Sequence, residues 1–293
     1  MKVSVLSSGT IGKATGIGLN KHGNEVIFYD TNPTVLETLE NEGYRVASSG
    51  LEAIQSCDIH MICVPTPLEG NSFDLSFLEA AVKQVGEGMA NKNTYQVVVI
   101  RSTVLPFTTR TKVVPLLEYH CTFKMGKEYG VCYNPEFLRA AHALEDFLTP
   151  PIIVIGEVDK QSGDIVAELY ASFPAPQLKT SPENAEAIKC FSNVYDAMKV
   201  SFFNELYLVA QECGLDHEVI SQAMLKSCEG IRIPEYYTKG GFPFGGACLP
   251  KDLAASISFV KEHGLEPHLF EAVAEINKEM ERRQNKSRKG LET

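Results

Sequence analysis

Positive charge is in short supply in this chain: 27 Lys and Arg stand against 37 Asp and Glu, a net charge of −10. A protein that grips nucleic acid normally carries a basic face, so this balance argues against that class of partner. A local basic pocket for a phosphate-bearing small molecule stays open. Paired cysteine spacing is lacking too. The eight cysteines stand at 57, 63, 121, 132, 190, 213, 228 and 248, with no C-x-x-C and no His/Cys ligand spacing. That argues against a structural zinc, and no metal site is expected. No apolar run approaches the length of a membrane span, so no membrane association is expected. No secretory leader is read either, because MKVSVL starts as a strand. The thiols are therefore expected to be reduced in a cytoplasm, most of them small core residues.

What is present is an ordinary globular composition, 44% hydrophobic over 293 residues, long enough for two domains. The first half alternates short β-branched runs with helical patterns. KVSVL (2–6), EVIFY (25–29), IHMICV (59–64), QVVVI (96–100), GVCYN (130–134), PIIVI (151–155) and QLKT (177–180) read as strands. Most show no in/out alternation, as expected of a sheet covered on both faces. Helical stretches between them, for example 10–21, 74–89 and 107–119, predict a parallel, doubly wound α/β sheet over 1–180. From Ser181 the pattern turns helical. Ser181 and Pro182 at one end and Gly214 at the other predict a single helix of about thirty residues. Shorter helices follow at 216–226, 250–263 and 267–283, giving an all-α domain over 181–293. The tail from Met280 is polar and expected to fray.

After the first strand comes SSGTIGKATGIGL. The dinucleotide fingerprint G-x-G-x-x-G aligns on Ser7, Gly9 and Gly12, with Ser7 in the first glycine's place. Gly9 lets backbone approach a pyrophosphate, Gly12 lets helix pack on strand, and the helix N-terminus offers N–H groups. The second strand ends in Asp30, placed to accept both ribose hydroxyls and repel a 2′-phosphate. The expected cofactor is therefore NAD, in a Rossmann-type domain. Ser7 costs on the order of 1 kcal/mol if its turn needs positive φ. The loops CVPTPLEG (63–70) and RSTVLP (101–106) follow strand ends on the ligand side, where Thr66, Ser102 and Thr103 can offer donors. For Thr66 and Ser102, helix capping is an equal alternative.

One loop, GGFPFGGACLPKDL (240–253), sets a lone Cys248 among glycines. By itself such a thiol is more often packing than nucleophile. With VPTP, STV, NPEFLR (134–139) and AIKCFSNVYDAMKVSFFNEL (187–206), in that order, the chain resembles the UDP-glucose/GDP-mannose dehydrogenases from the first strand to about residue 285. The resemblance implies an NAD-dependent, four-electron oxidation of a nucleotide-sugar alcohol to a carboxylate. Cys248 is then the nucleophile that holds the aldehyde as a thiohemiacetal and then a thioester. Lys189 and Asn193, four apart on the long helix, are implied to steady the oxyanion. Asp252 is implied to position water or accept a proton, a helix cap being the alternative. Glu136 is implied to assist thioester hydrolysis, with Thr103 holding a water.

The resemblance further places Thr10, Ile11, Pro65, Thr66, Ser102, Thr103 and Glu136 with Gly9, Gly12 and Asp30 around the cofactor. It places Phe137, Leu138, Lys189, Asn193, Arg232, Phe244 and Gly245 around the substrate. It implies a homodimer through the helical domain, for which Phe202, Phe203, Leu206 and Tyr207 are interface candidates or else intrachain core. The chain departs from the family at Ser7, at Ala140 and Ala141 where an acid is common, and in ending before a second α/β domain. That ending reads as a fragment or a short relative. Two other functions compete: a two-electron 3-hydroxyacid or 6-phosphogluconate-type dehydrogenase, and a truncated non-catalytic partner of a full-length enzyme.

Overall fold

The computed structural model describes residues 1–89, 92, 94–227, 237, 239–246 and 248–289. In chain order these form β1 (Lys2–Leu6), α1 (Thr10–Lys21), β2 (Glu25–Tyr29), α2 (Pro33–Asn41), α3 (Gly50–Ser56) and β3 (Ile59–Ile62). Next come a small hairpin, β4 (Leu68–Glu69) and β5 (Ser72–Phe73), then α4 (Ser76–Gly88) and β6 (Gln96–Ile100). A π-helical turn at Thr109–Val113 leads into α5 (Val114–His120), followed by β7 (Tyr129–Tyr133), α6 (Ala143–Leu148), β8 (Ile153–Glu157), α7 (Lys160–Leu169) and β9 (Gln177–Thr180). The remainder is helical: α8 (Pro182–Cys213), α9 (His217–Ser227), α10 (Leu249–Glu262) and α11 (His268–Lys289).

The chain divides into two compact units. One comprises Met1–Thr66 and Asp74–Lys189; the other takes Pro67–Phe73 and the chain from Cys190 on. The first unit is built on a seven-stranded sheet ordered β2-β1-β3-β6-β7-β8-β9. The strands lie where the β-branched runs predict them. Val, Ile and Phe point to both faces and fill two apolar layers, one under α3, α4 and α5, the other under α1, α6 and α7. Helix starts follow local chemistry. Asn32 accepts from the Thr34 N–H, Ser49 from Glu52 and Asp159 from Ser162.

One pairing departs from the all-parallel expectation: β8 runs antiparallel to β7. The connection between them carries only the short α6, which packs on α1, Phe147 filling the space beside Gly18. The chain therefore re-enters the sheet from the end it left, because no element carries it back across a face. Across the sheet centre runs a buried polar line. His60 meets Ser4 Oγ at 2.9 Å through Nδ1 and Gln96 Oε1 at 3.0 Å through Nε2. Burial pushes the imidazole down to about 4, so it stays neutral between its two partners.

In the second unit the hairpin joins the helices, a grouping that linear order hides. Its apolar centre gathers Val194, Ala197, Phe244, Leu253 and Val273. The helix α8 runs 32 residues, with Ser181 Oγ accepting from the Asn184 N–H and Gly214 stopping it at φ +67°. The tail expected to fray is instead helical through Lys289. Met280 is buried on one side, while Arg283 reaches Glu279 at 2.8 Å on the other, a spacing that supports a polar helix end. No helix among the described residues is long and apolar enough to cross a membrane.

Candidate active site

The turn after β1 has the geometry its sequence calls for. Ser7 has φ +69°, so the position does need the left-handed conformation that glycine adopts freely. A Cβ on Gly12 would stand 1.9 Å from the Ser7 carbonyl oxygen, so only glycine lets α1 start this close to the strand. Gly9 precedes α1 without any side-chain cap, and a Cβ there would meet nothing within 4 Å. Gly9 and Thr10 are exposed and Ile11 half-buried, which leaves the N–H groups of the first turn facing open space. At the end of β2, Asp30 accepts from the Ser8 N–H at 2.6 Å and the Asn32 N–H at 2.9 Å. Both carboxylate oxygens keep a free lone pair. An open helix head beside a fixed carboxylate fits the pyrophosphate and adenosine ribose of NAD.

The next two strand-end loops are stapled to each other. Thr66 Oγ1 donates to the Thr103 carbonyl at 2.7 Å, and Ser102 Oγ donates to Val64 at 2.7 Å. Thr66 and Ser102 are buried, so their hydroxyl protons neither cap a helix nor face a ligand. They fix the two loops as one platform, with Pro65 exposed and Thr103 half-buried.

Glu136 is buried and gripped from both sides. Its Oε1 receives Lys189 Nζ at 2.9 Å and its Oε2 the Leu138 N–H at 2.6 Å. Burial would raise its carboxyl, but the Lys189 ammonium, these hydrogen bonds and nearby Arg101 outweigh it and hold the group below the usual range. Glu136 is therefore an ionised base. The Lys189 ammonium also lies over the Phe137 ring at 5.7 Å. Behind them is Arg101, a residue sequence reasoning passed over. It is buried, donates through Nη1 to Asn134 Oδ1 at 2.5 Å and to Tyr170 at 3.1 Å, and has no carboxylate within 4.0 Å among the described residues. It pins the first residue of the NPEFLR stretch. A buried-strand position ending in a cation was the available signal. Where the family commonly has an acid, Ala140 and Ala141 stand in a short 3-10 turn, and Arg139 pairs with Asp146 at 2.6 Å.

The second unit carries the thiol. Cys248 is exposed and stands immediately before α10, the helix end where negative charge is favoured. Asp252, one turn on, is 1% exposed. Its Oδ2 accepts from Asn193 Nδ2, and its Oδ1 meets Lys251 Nζ at 2.6 Å. Asp252 is thus no helix cap; its carboxylate links α8 to α10. Lys251, left without a role by the sequence, lies 4.5 Å over the ring of Phe73 from the hairpin. Nothing in the sequence flags Phe73. Although Lys189 and Asn193 share one face of α8, each is engaged by its own partner. Phe244 is buried and Gly245 exposed. Of the interface candidates, Phe203 is buried within the chain and Phe202 is exposed, with Leu206 and Tyr207 between. Arg232 lies outside the described residues.

Comparison with known proteins gives the same picture. Residues 32–174 match the NAD binding domain of the UDP-glucose/GDP-mannose dehydrogenase family, and residues 183–279 its central domain. The first match begins two residues past Asp30, so the Ser7–Gly12 turn and Asp30 lie outside it. The GDP-mannose 6-dehydrogenase of Pseudomonas syringae pv. tomato is 35% identical over 276 residues, 87% of this chain and 63% of that protein. The chain thus spans less than two thirds of the length of that relative. Among solved structures, a UDP-glucose dehydrogenase from the archaeon Pyrobaculum islandicum has TM-score 0.87 and 34% identity, covering 96% of this chain and 68% of that one. A GDP-mannose dehydrogenase from Pseudomonas aeruginosa has TM-score 0.75 and 32% identity, covering 96% and 69%. An NAD-type first unit, a long-helix second unit and the motifs in their order have one common explanation: the chain belongs to the UDP-glucose/GDP-mannose dehydrogenase family.

Proposed function

We propose that this chain, with NAD, oxidises the primary alcohol of a nucleotide sugar by four electrons to a uronic acid, through a thiohemiacetal and a thioester on Cys248. The observation that carries the reading is the set Cys248, Asp252 and Asn193: an exposed thiol at a helix head, with a buried carboxylate one turn on and held by an amide. Asp252 is paired at that depth by Lys251 and Asn193, which leaves a carboxylate one turn from the thiol.

NAD would supply the hydride acceptor, one NAD for each of the two hydrides, the first hydride leaving with the hydroxyl proton to give the aldehyde; Gly9, Thr10, Ile11, Gly12 and Asp30 would hold each NAD in turn. The Cys248 sulfur adds to the aldehyde carbon, the carbonyl electron pair moves to oxygen, and Lys189 and Asn193 steady that oxygen. Loss of the second hydride from this adduct leaves a thioester. Glu136, kept ionised by Lys189, takes a proton from water. The hydroxide adds to the thioester carbon and the Cys248 thiolate leaves. One water is consumed, and two hydrides leave per sugar. Two copies associate through the exposed apolar face of α8 and α11, where Tyr195, Phe202 and Leu269 rim a cavity of about 380 Å³.

The test is stoichiometry. UDP-glucose and GDP-mannose are each offered with excess NAD, and NADH is counted per sugar consumed. Two per sugar supports the reading. One per substrate makes the chain a two-electron dehydrogenase, and none despite bound NAD makes it a non-catalytic partner.

A further inference from the structure

We infer that Asn204 and Asn277, two buried asparagines on different helices, are positioning residues that set how the glycine-rich loop presents Cys248. The inference rests on the reading of Cys248 as the nucleophile. Asn277 on α11 treats Phe244 as a neighbouring strand would. Its Oδ1 accepts from the Phe244 N–H at 2.7 Å and its Nδ2 donates to the Phe244 carbonyl at 3.1 Å. Asn204 on α8 donates to the Phe242 carbonyl at 2.9 Å. Neither amide is needed to fill space. Asn277 is 6% exposed beside the apolar group of Phe244, Leu253 and Val273, where a leucine would pack. Asn204 is wholly buried, and its Oδ1 has no partner among the described residues, a cost carried for one bond to the loop.

The need for two clamps follows from the loop's composition. Gly240, Gly241 and Gly246 all have positive φ, and Gly245 is exposed. Such a run has little stiffness of its own. Downstream, the thiol is tied to α10, where the Asp252 N–H bonds to the Cys248 carbonyl at 2.9 Å. Upstream, among the described residues, Asn204 and Asn277 tie it at Phe242 and Phe244, and His217 meets the Lys239 carbonyl at 2.8 Å. Gly240 and Gly241 also lie against Tyr207, so close that a Cβ on Gly240 would stand 2.7 Å from the Tyr207 Cβ. The segment is therefore held at Gly240, Gly241, Phe242 and Phe244, the last of these lying four positions before the cysteine. Asn277 must supply donor and acceptor together, which aspartate cannot do.

The test uses the full chain in a Cys213→Ser background, since Cys213 is also exposed. The rate of Cys248 alkylation by iodoacetamide is followed by mass spectrometry from pH 6 to 10 in the parent, Asn277→Asp and Asn204→Ala. The expected result is a change in rate of about fivefold or more with a displaced pH midpoint, a fall in turnover of about 10- to 100-fold, and NAD affinity within about twofold of the parent. Unchanged rate and midpoint in folded variants would overturn the inference. Should the variants not fold, hydrogen exchange in the parent decides. The Phe244 N–H must be protected about 100-fold or more over an open loop, and free exchange overturns the clamp. Turnover that survives Cys248→Ser overturns the nucleophile reading instead, while the alkylation comparison still stands.

Discussion

Lys189 Nζ and Glu136 Oε1 lie 2.9 Å apart with both side chains almost wholly removed from solvent. Such a pair contributes little against an apolar replacement, but either member alone is a buried, uncompensated charge. Lys189→Met is expected to lose about 3–5 kcal/mol of stability, and Lys189→Met with Glu136→Gln to recover much of it. Urea unfolding of the two variants checks this. A single variant within about 1 kcal/mol of the parent would mean that the ion pair is not buried as described.

Cys248→Ser is expected to abolish the overall oxidation while leaving NAD binding within about twofold, because the thiol belongs to neither α1 nor β2. Asp252→Asn should cut turnover by about 100-fold with the same unchanged NAD affinity. Steady-state NADH formation and NAD titration by fluorescence separate the two effects. Normal turnover in the serine variant removes the covalent mechanism.

At Ser7, φ +69° is costly for a side chain and most costly for a branched one. Ser7→Gly relieves about 1 kcal/mol, offset in part by the greater freedom of glycine in the unfolded chain. Ser7→Val is expected to lose about 2 kcal/mol. Stability should rank Gly at or above Ser, and Ser above Val. NAD affinity should follow that order, and a valine variant as stable as the parent would contradict it.

A pH dependence comes from Glu186, buried in α8 with Oε1 accepting from the Thr109 N–H at 2.7 Å. Burial outweighs its hydrogen bonds and pushes the carboxyl up from an ordinary 4.5 to about 7. Between those values the folded chain holds a proton that the unfolded chain has released, so this group makes stability fall as pH rises and flatten above 7. His60 works in the opposite sense, losing stability as pH drops from 6.5 towards 4. The two slopes oppose each other in the parent. Glu186→Gln removes one, so its stability relative to the parent should rise from pH 5 to pH 8 by at most about 3 kcal/mol. Urea midpoints at the two pH values check it, and a pH-independent difference would refute it.

Phe202→Asp should yield monomers in sedimentation equilibrium with an unchanged far-UV spectrum, since Phe202 is exposed on α8. A parent chain that is already monomeric removes this prediction and the proposed interface together.

Much of the first unit was legible because its signals are local. β-branched runs made the strands, Ser181 with Pro182 and Gly214 bounded α8, and the Ser7–Gly12 turn with Asp30 marked the nucleotide site. The motif order named the family, and it singled out Cys248, Asn193, Lys189, Asp252 and Glu136 as the residues to test.

What a residue's partner is could not be read that way, because partners are set by distances across the fold. Lys189 and Asn193 share a face of α8, as their spacing indicates, but that spacing did not show that one also holds Glu136 and the other Asp252. Thr66 and Ser102 looked like donors to a ligand or caps, and became staples between loops. The antiparallel β8, the hairpin that brings Phe73 under Lys251, and the amides of Asn204 and Asn277 left no trace in composition or period. The sequence alone determined most of the strands and helices and which reactive groups the chain offers, through backbone preference and residue identity. Only the tertiary structure decided which charges are buried, what neutralises them and what holds the thiol loop, because burial and pairing exist only once distant segments meet.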